Sequence, residues 1–447
     1  MSRLAGWKPA LAYFFLLALT TRAHVASWND SARMATIDSL VERHTFAIDA
    51  SDFVGTSDKI LINGHFYSNK PPAMEVAGAA VLLPLHEVLG VELHHDAPGV
   101  AYYLLTLILV GGPSALAAAL LDRWFRRRGF TRLDRLVAVA GFAVATLVWP
   151  YSTVFNNHTV GGALLLLGVL MLGPARSWTN RRVLCAGLAL GLSATFDLPP
   201  AALFVVVFLA YVLLQRGAGA AGSFVAGLIP ALVIQLVLQL MISGDLLPTN
   251  LHREYWNFPG SPWVGLPISG EFHLRSFAEG LTYAFHSLLG SRGFLSYSPF
   301  LLWGVAGLVT AAWSSPSAER NHALATLVAV VMTMVYLVLF ATQYGGLAYG
   351  ERYFVGLSGV LACFIPKGCW SGAPRWRRGL FALTLVVSIA IAALGVAANP
   401  WRAETPVVAA RVVQRAGIRS TLRHLGVFDL YVPRRGAVSA PAKRQSQ

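Results

Sequence analysis

The sequence predicts an all-α polytopic membrane protein with about eleven transmembrane helices and a large first outer loop carrying two juxtamembrane helices. Three observations carry that expectation. Of 447 residues, 55% are hydrophobic and only 13% are charged, with a mean hydropathy of +0.58; a soluble domain holds about 25% charged residues. The apolar residues stand in long blocks, and a block of about 20 is a membrane helix. The basic residues, 35 Lys and Arg against 21 Asp and Glu, gather between the blocks, as cytoplasmic loops require. A water-soluble enzyme is thereby excluded. So are disordered and collagen-like chains, since 41 Gly and 23 Pro are ordinary at this length.

The opening MSRLAGWKPALAYFFLLALTTRA has the layout of a signal peptide. Arg22 follows the apolar run directly, with no small-x-small cleavage site, so it reads as an uncleaved first span. The eleven expected spans are 6–22, 99–121, 134–154, 158–174, 183–197, 199–215, 220–242, 297–313, 321–342, 353–366 and 379–398. Trp124-Phe125-Arg126-Arg127-Arg128, Arg176…Arg181-Arg182 and Lys367…Arg378 are expected in the cytoplasm. The long segments, 23–98 and 243–296, then lie outside.

Residues 71–89 are apolar enough to span, yet spanning would put Arg126–Arg128 outside. They are therefore laid along the outer surface. Met34, Ile37 and Val41 recur at helical spacing and predict a second surface helix over 30–43. Between them, 59–67 reads as a hairpin turning at Asn63-Gly64. A helix is expected over 274–289. The membrane domain is bounded at 1–398, and 399–447 is a polar tail with nine basic and two acidic residues. Helix parity puts the tail outside, where contact with an anionic membrane surface would suit its charge. Cys185, Cys363 and Cys369 show no disulfide or zinc spacing. No nucleic-acid motif is present, and no internal repeat is apparent.

The outer segments hold the candidate chemistry. Asp30 opens the first surface helix, where its simplest role is an N-cap. Lys70 stands before Pro71-Pro72, a firm helix start. A cation there opposes the helix dipole, and an anionic ligand such as phosphate reconciles the two; the plain alternative is a snorkelling lysine. Asn157 and His158 form a polar turn between two spans. Tyr349, Glu351 and Arg352 end a glycine-loosened loop, and Arg352 again sits at a helix start. Arg292 offers a further cation or an interfacial anchor. Asp197 is expected to cap the helix that follows it. His24, His65 or His94-His95 could join Asp30 at a divalent cation, though no ligand spacing demands a metal.

A first span, a helix-opening Asp30, a hairpin ending in Tyr67-Ser68-Asn69-Lys70-Pro71-Pro72 and a second surface helix resemble the GT-C superfamily of membrane glycosyltransferases. The likeness is greatest to the branch that uses polyprenyl-phosphate sugars, which includes protein O-mannosyltransferases and the lipid A aminoarabinose transferase. It covers roughly the first third of the chain and the Arg352-Tyr353 loop. The resemblance implies that Asp30 is the catalytic base and that Lys70 and, by a looser match, Arg352 hold the donor phosphate, and Arg292 is expected to add a third cation there. Tyr67, Asn157, His158, Tyr349 and Glu351 are then expected around the substrates. Two departures stand out: Ser31 follows Asp30 where the family often has an acid, and Thr195-Phe196-Asp197-Leu198-Pro199 replaces a Thr-Lys-Gly-Pro of close relatives. The implied reaction moves a sugar from a polyprenyl-phosphate donor to a hydroxyl of a lipid, protein or polysaccharide, with inversion. It would occur on the outer face of a bacterial inner membrane, within the cell envelope. The alternatives are a transporter or flippase of a lipid-linked sugar, and a membrane scaffold.

Overall fold

The computed structural model describes residues 7–401 except 96–98, 175–177, 269, 274, 291, 342 and 347. Arg176, Leu274, Ser291, Leu347 and the tail beyond Trp401 lie outside the described residues. The chain is a helical bundle, and helix occupies every block expected to span. The long helices are Lys8–Thr20, Val100–Arg127, Arg132–Val144, His158–Met171, Asn180–Phe196, Leu198–Ser243, Leu301–Ser314, Ser317–Phe340 and Arg375–Ala398.

Two blocks differ from expectation. The helix from Arg132 stops at Val144 and resumes as one turn, Val148–Tyr151. The block at 353–366 carries only the short helix Leu357–Ala362. Two expected spans, 199–215 and 220–242, run on as one helix that kinks at Gly217, where φ is 78°. Glycine alone adopts that conformation without steric cost, so a single residue replaces a loop. Large apolar side chains such as Leu214, Ile229, Val233, Leu383 and Val386 point outward. A helix apolar on every face needs a lipid solvent.

Small residues set the spacing between helices, as is usual where lipid gives no drive to associate. Gly162 meets the backbone of Gly356, and Gly304 and Gly307 meet the carbonyls of Leu361 and Phe364. Gly187 and Gly227 bring Asn180–Phe196 against the second half of the kinked helix.

The first loop folds much as its sequence predicts. The hairpin pairs Lys59–Ile62 with His65–Ser68 in antiparallel register. Asn63 and Gly64 both have positive φ, 51° and 88°, as a two-residue type I′ turn demands. Ile60 and Ile62 pack on Trp256 and Ile268 of the second loop. Helix Trp28–Arg43 buries Met34, Ile37 and Val41 against Met74 and Leu82 of helix Pro72–Leu89. Pro72–Leu89 is itself long and apolar enough to cross a membrane. The helix expected over 274–289 is present as Phe277–Leu288.

Candidate active site

The starts of three helices, the end of helix Ser317–Phe340 and Tyr353 meet around one cavity of about 210 Å³. Its polar wall includes Lys70, His158, Asp197 and Tyr353. Its apolar wall includes Leu198, Pro199, Leu337 and Phe340, from the ends of two membrane helices. The space therefore joins a charged head to a greasy flank.

Lys70 reaches the cavity from the residue before Pro71, and its Nζ lies 2.7 Å from Asp58 Oδ2. The hairpin makes that pair. Lys59 pairs with Ser68, and one step further Asn69 N donates to the Asp58 carbonyl at 3.3 Å. Burial lowers the Lys70 pKa to about 8; Asp58 opposes the shift, while Arg33 and Arg352 add to it. Asp58 is held below its usual range: burial alone would raise it, and Lys70 and Arg352 outweigh that.

Behind the Lys70 ammonium stand two guanidiniums, those of Arg33 and Arg352. Arg33 is 1% exposed. Its Nη2 donates to Asn157 Oδ1 at 2.6 Å, and its Nη1 lies 3.9 Å from Glu75 Oε1. Arg33 Nε and Nη1 and Arg352 Nε are buried without a hydrogen-bond acceptor. An orphaned buried donor costs about 1–3 kcal/mol, and more when charged, so these nitrogens are strong candidates to receive an anion. Arg352 is seated between the rings of Tyr353 and Trp401, 5.4 and 5.3 Å from their centroids. The same clasp joins Tyr349 N to the Pro400 carbonyl at 3.0 Å.

The carboxylates do not cancel this charge. Asp30, Asp58, Glu75 and Glu351 face Arg33, Lys70, Arg292 and Arg352. Burial pushes Glu351 up to about 8 and Glu75 up to about 7, so both carry less than a full negative charge at neutral pH and the cations outweigh the carboxylates.

The other residues singled out in the sequence fall as follows. Asp30 is fully buried and is not among the residues lining the cavity. Helix Trp28–Arg43 starts earlier than expected, with Ser27 as its cap, and Asp30 closes a capping box at the third position. Its Oδ1 accepts from Ser27 N and Oγ, at 2.8 and 2.7 Å. Its Oδ2 accepts from Ala26 N and Tyr102 Oη, at 3.0 and 2.9 Å. Both oxygens are thus committed to the protein. Burial raises its pKa, against the pull of those donors.

Arg292 donates to the Ala348 carbonyl and props the glycine-rich segment. Tyr349 donates to the Ile391 carbonyl at 2.7 Å and belongs to the core. Tyr67 packs with Ile60 and Trp256. Asn157 also donates to the Phe196 carbonyl at 2.8 Å. Glu351 accepts from Tyr353 N at 3.4 Å. Among the described residues, no three of His, Cys, Asp and Glu come together as metal ligands; His65 pairs with Asp49 and His94 with Glu92.

Asp197 does not cap its helix; its side chain makes no cap hydrogen bond. A capping carboxylate takes the N–H groups two and three positions on. Here those positions are Pro199 and Pro200, which have none. Asp197 Oδ2 instead lies 2.9 Å from His158 Nδ1.

Sequence reasoning missed Arg33 and Asp58. Arg33 precedes Ile37 by one helical turn and so shares its buried face, a signal that could have found it. Extending the predicted hairpin in register puts Asp58 opposite Asn69, the residue before Lys70.

No protein-family profile matches the sequence, and no curated relative matches it by sequence. Similarity appears in three dimensions. The crystal structure of ArnT from Cupriavidus metallidurans bound to undecaprenyl phosphate superposes with a TM-score of 0.52 at 12% identity, covering 96% of this chain and 76% of that one. The shared feature is the fold.

Proposed function

We propose that this protein is a glycosyltransferase that moves a sugar from a polyprenyl-phosphate donor to a hydroxyl acceptor, at the outer face of the membrane and with inversion. One observation carries the reading: a single cavity places Lys70 on one wall and the ends of apolar membrane helices on the other. A lipid phosphate has that same two-part chemistry. Its phosphate would lie by Lys70, within the field of Arg33 and Arg352, and its isoprenoid tail would follow Leu337 and Phe340 toward the bilayer. The ArnT structure, of the same fold, holds undecaprenyl phosphate, which supports a donor of this class.

In the reaction, the acceptor oxygen attacks the anomeric carbon and the bond from that carbon to the phosphate oxygen breaks. The electron pair leaves on the phosphate, and the added charge falls among cations already in place. Preorganised charge of this kind acts most strongly where water is excluded. The energy of the step resides in the sugar phosphate, so no nucleotide is needed.

The test is to supply the purified protein, in lipid, with polyprenyl-phosphate sugars and an alcohol acceptor. Free polyprenyl phosphate and a glycoside of inverted configuration should appear. Arg33→Gln should lower turnover by about 10²–10³-fold, the usual effect of removing one such stabilising donor. Passage of the intact donor across the bilayer with its glycosidic bond unbroken would replace the reading with that of a flippase.

The two groups near pH 8 give a second expectation. Below about 8, Lys70 is charged and Glu351 is neutral; above it, Lys70 loses a positive charge and Glu351 gains a negative one. Both changes disfavour an anionic donor. Donor KM should therefore climb as pH rises through about 8, and climb less steeply in Glu351→Gln. A KM flat from pH 7 to 9.5 would contradict the charges assigned here.

A further inference from the structure

We propose that His158, held by Asp197, is the base that takes the acceptor's proton. This rests on the glycosyl-transfer reading above and assigns the step that Asp30 is poorly placed to perform.

Three observations converge on this pair. Both residues line the cavity that also receives Lys70, whereas Asp30 has both oxygens engaged in its capping box and with Tyr102. The contact between His158 Nδ1 and Asp197 Oδ2, at 2.9 Å, is nearly shut off from water, with side-chain exposures of 8% and 10%. And Asp197 is available by construction, because Pro199 and Pro200 remove the N–H groups that a carboxylate at its position would otherwise accept from.

A carboxylate accepts only, so Nδ1 carries the hydrogen in this contact. The other ring nitrogen, Nε2, then has the lone pair. The edge-to-face contact between His158 and Tyr353, with ring centroids 5.9 Å apart, fixes the ring from a second side. The relation is that of a base aligned by a buried carboxylate.

The step balances as follows. The acceptor hydroxyl gives its proton to Nε2 of His158 while its oxygen bonds to the anomeric carbon. The bond from that carbon to the phosphate oxygen breaks, and the phosphate departs with the electron pair. The imidazolium is stabilised by Asp197 and returns its proton to solvent after release. His158 serves the incoming oxygen and Lys70 the outgoing one. Asp197 acts through His158 and is a positioning residue.

The experiment compares wild type, His158→Gln, His158→Ala, Asp197→Asn and Asp30→Asn for kcat and donor KM on a polyprenyl-phosphate sugar, with and without added imidazole. Both His158 variants should lose about 10²–10⁴-fold in kcat, the range for a missing general base, with donor KM within about twofold of wild type. Imidazole should restore part of kcat in His158→Ala and add nothing to wild type. Asp197→Asn should lose kcat toward the lower end of that range, also without a change in donor KM, and Asp197→Glu should recover part of it.

The proposal fails if the His158 variants keep their kcat, if imidazole leaves the loss in His158→Ala untouched, or if the loss is matched by a rise in donor KM. It fails equally if only Asp30→Asn loses turnover, which makes Asp30 the base. If wild type cleaves no such donor, the glycosyl-transfer reading falls and takes this one with it. If wild type turns over and the His158 variants equal it, this inference alone is wrong.

Discussion

Lys70→Met should abolish donor turnover, and adding Asp58→Asn to the same chain should not bring it back. The single change leaves Asp58 buried opposite an apolar side chain. Removing one partner of a buried pair costs about 3–5 kcal/mol, so Lys70→Met should also melt earlier in detergent. It reverses the local charge as well, presenting a bare carboxylate where a phosphate is meant to sit. The double variant has no unpaired charge, so its thermal stability should recover. Turnover should stay depressed by about 10²–10³-fold, because the cation at the leaving oxygen is still missing. The pair of measurements separates two roles that one salt bridge can have. If stability and turnover recover together, Lys70 only braces the hairpin and the phosphate is held elsewhere.

Gly162→Ala should inactivate the protein without touching a charged group. A β-carbon there would stand 2.5 Å from Gly356 Cα and 2.9 Å from its carbonyl oxygen. Neither backbone can yield alone, so helix His158–Met171 must move away from the segment that follows Arg352. Overpacking of this kind costs about 1–3 kcal/mol. The catalytic consequence is larger, because the same contact sets His158 beside Tyr353. A misplacement of about 1 Å can cost 10²-fold in rate. Gly219→Ala is the control: it lies in a helix with nothing within 4 Å of the added carbon. Its turnover and melting temperature should match wild type. If Gly162→Ala also matches wild type, the close approach of the two glycines is not needed for the site.

The fold was legible because the bilayer is a demanding solvent. Blocks of Leu, Val, Ala and Phe have few alternatives to membrane-compatible helices, and the positions of those helices follow from the blocks. The hairpin was legible from Asn63-Gly64 for an equally local reason, since both residues must take positive φ. Helix continuity was not: Gly217 turns two spans into one kinked helix with no loop to mark the join.

The site was legible only in part, and the pattern of success is physical. Lys70 stood out because a cation at a helix start conflicts with the dipole, and its ion partner resolves that conflict in three dimensions. Asp30 also stood out, but the capping box begins at Ser27, and the carboxylate faces its own backbone and Tyr102. Asp197 was read as a cap from its place before a helix. Pro199 and Pro200 rule this out, because they have no N–H to donate to the carboxylate. Arg292 and Tyr349 carry suitable chemistry but support the loop around Arg352. Residue type alone does not distinguish a ligand from its brace.

The seat of Arg352 has a consequence for how the protein is made. One of its two flanking rings, Trp401, lies just beyond helix Arg375–Ala398, and the Pro400 carbonyl holds Tyr349 N in the segment that precedes Arg352. Synthesis runs from the amino end, so every charged residue of the cavity has been made before the ribosome reaches that helix. Until it has been inserted, the guanidinium lacks one of its two flanking rings. Helix Arg375–Ala398 thus acts as a latch that closes late on Arg352, and a chain that stops short of it carries all the residues of the site without their finished arrangement.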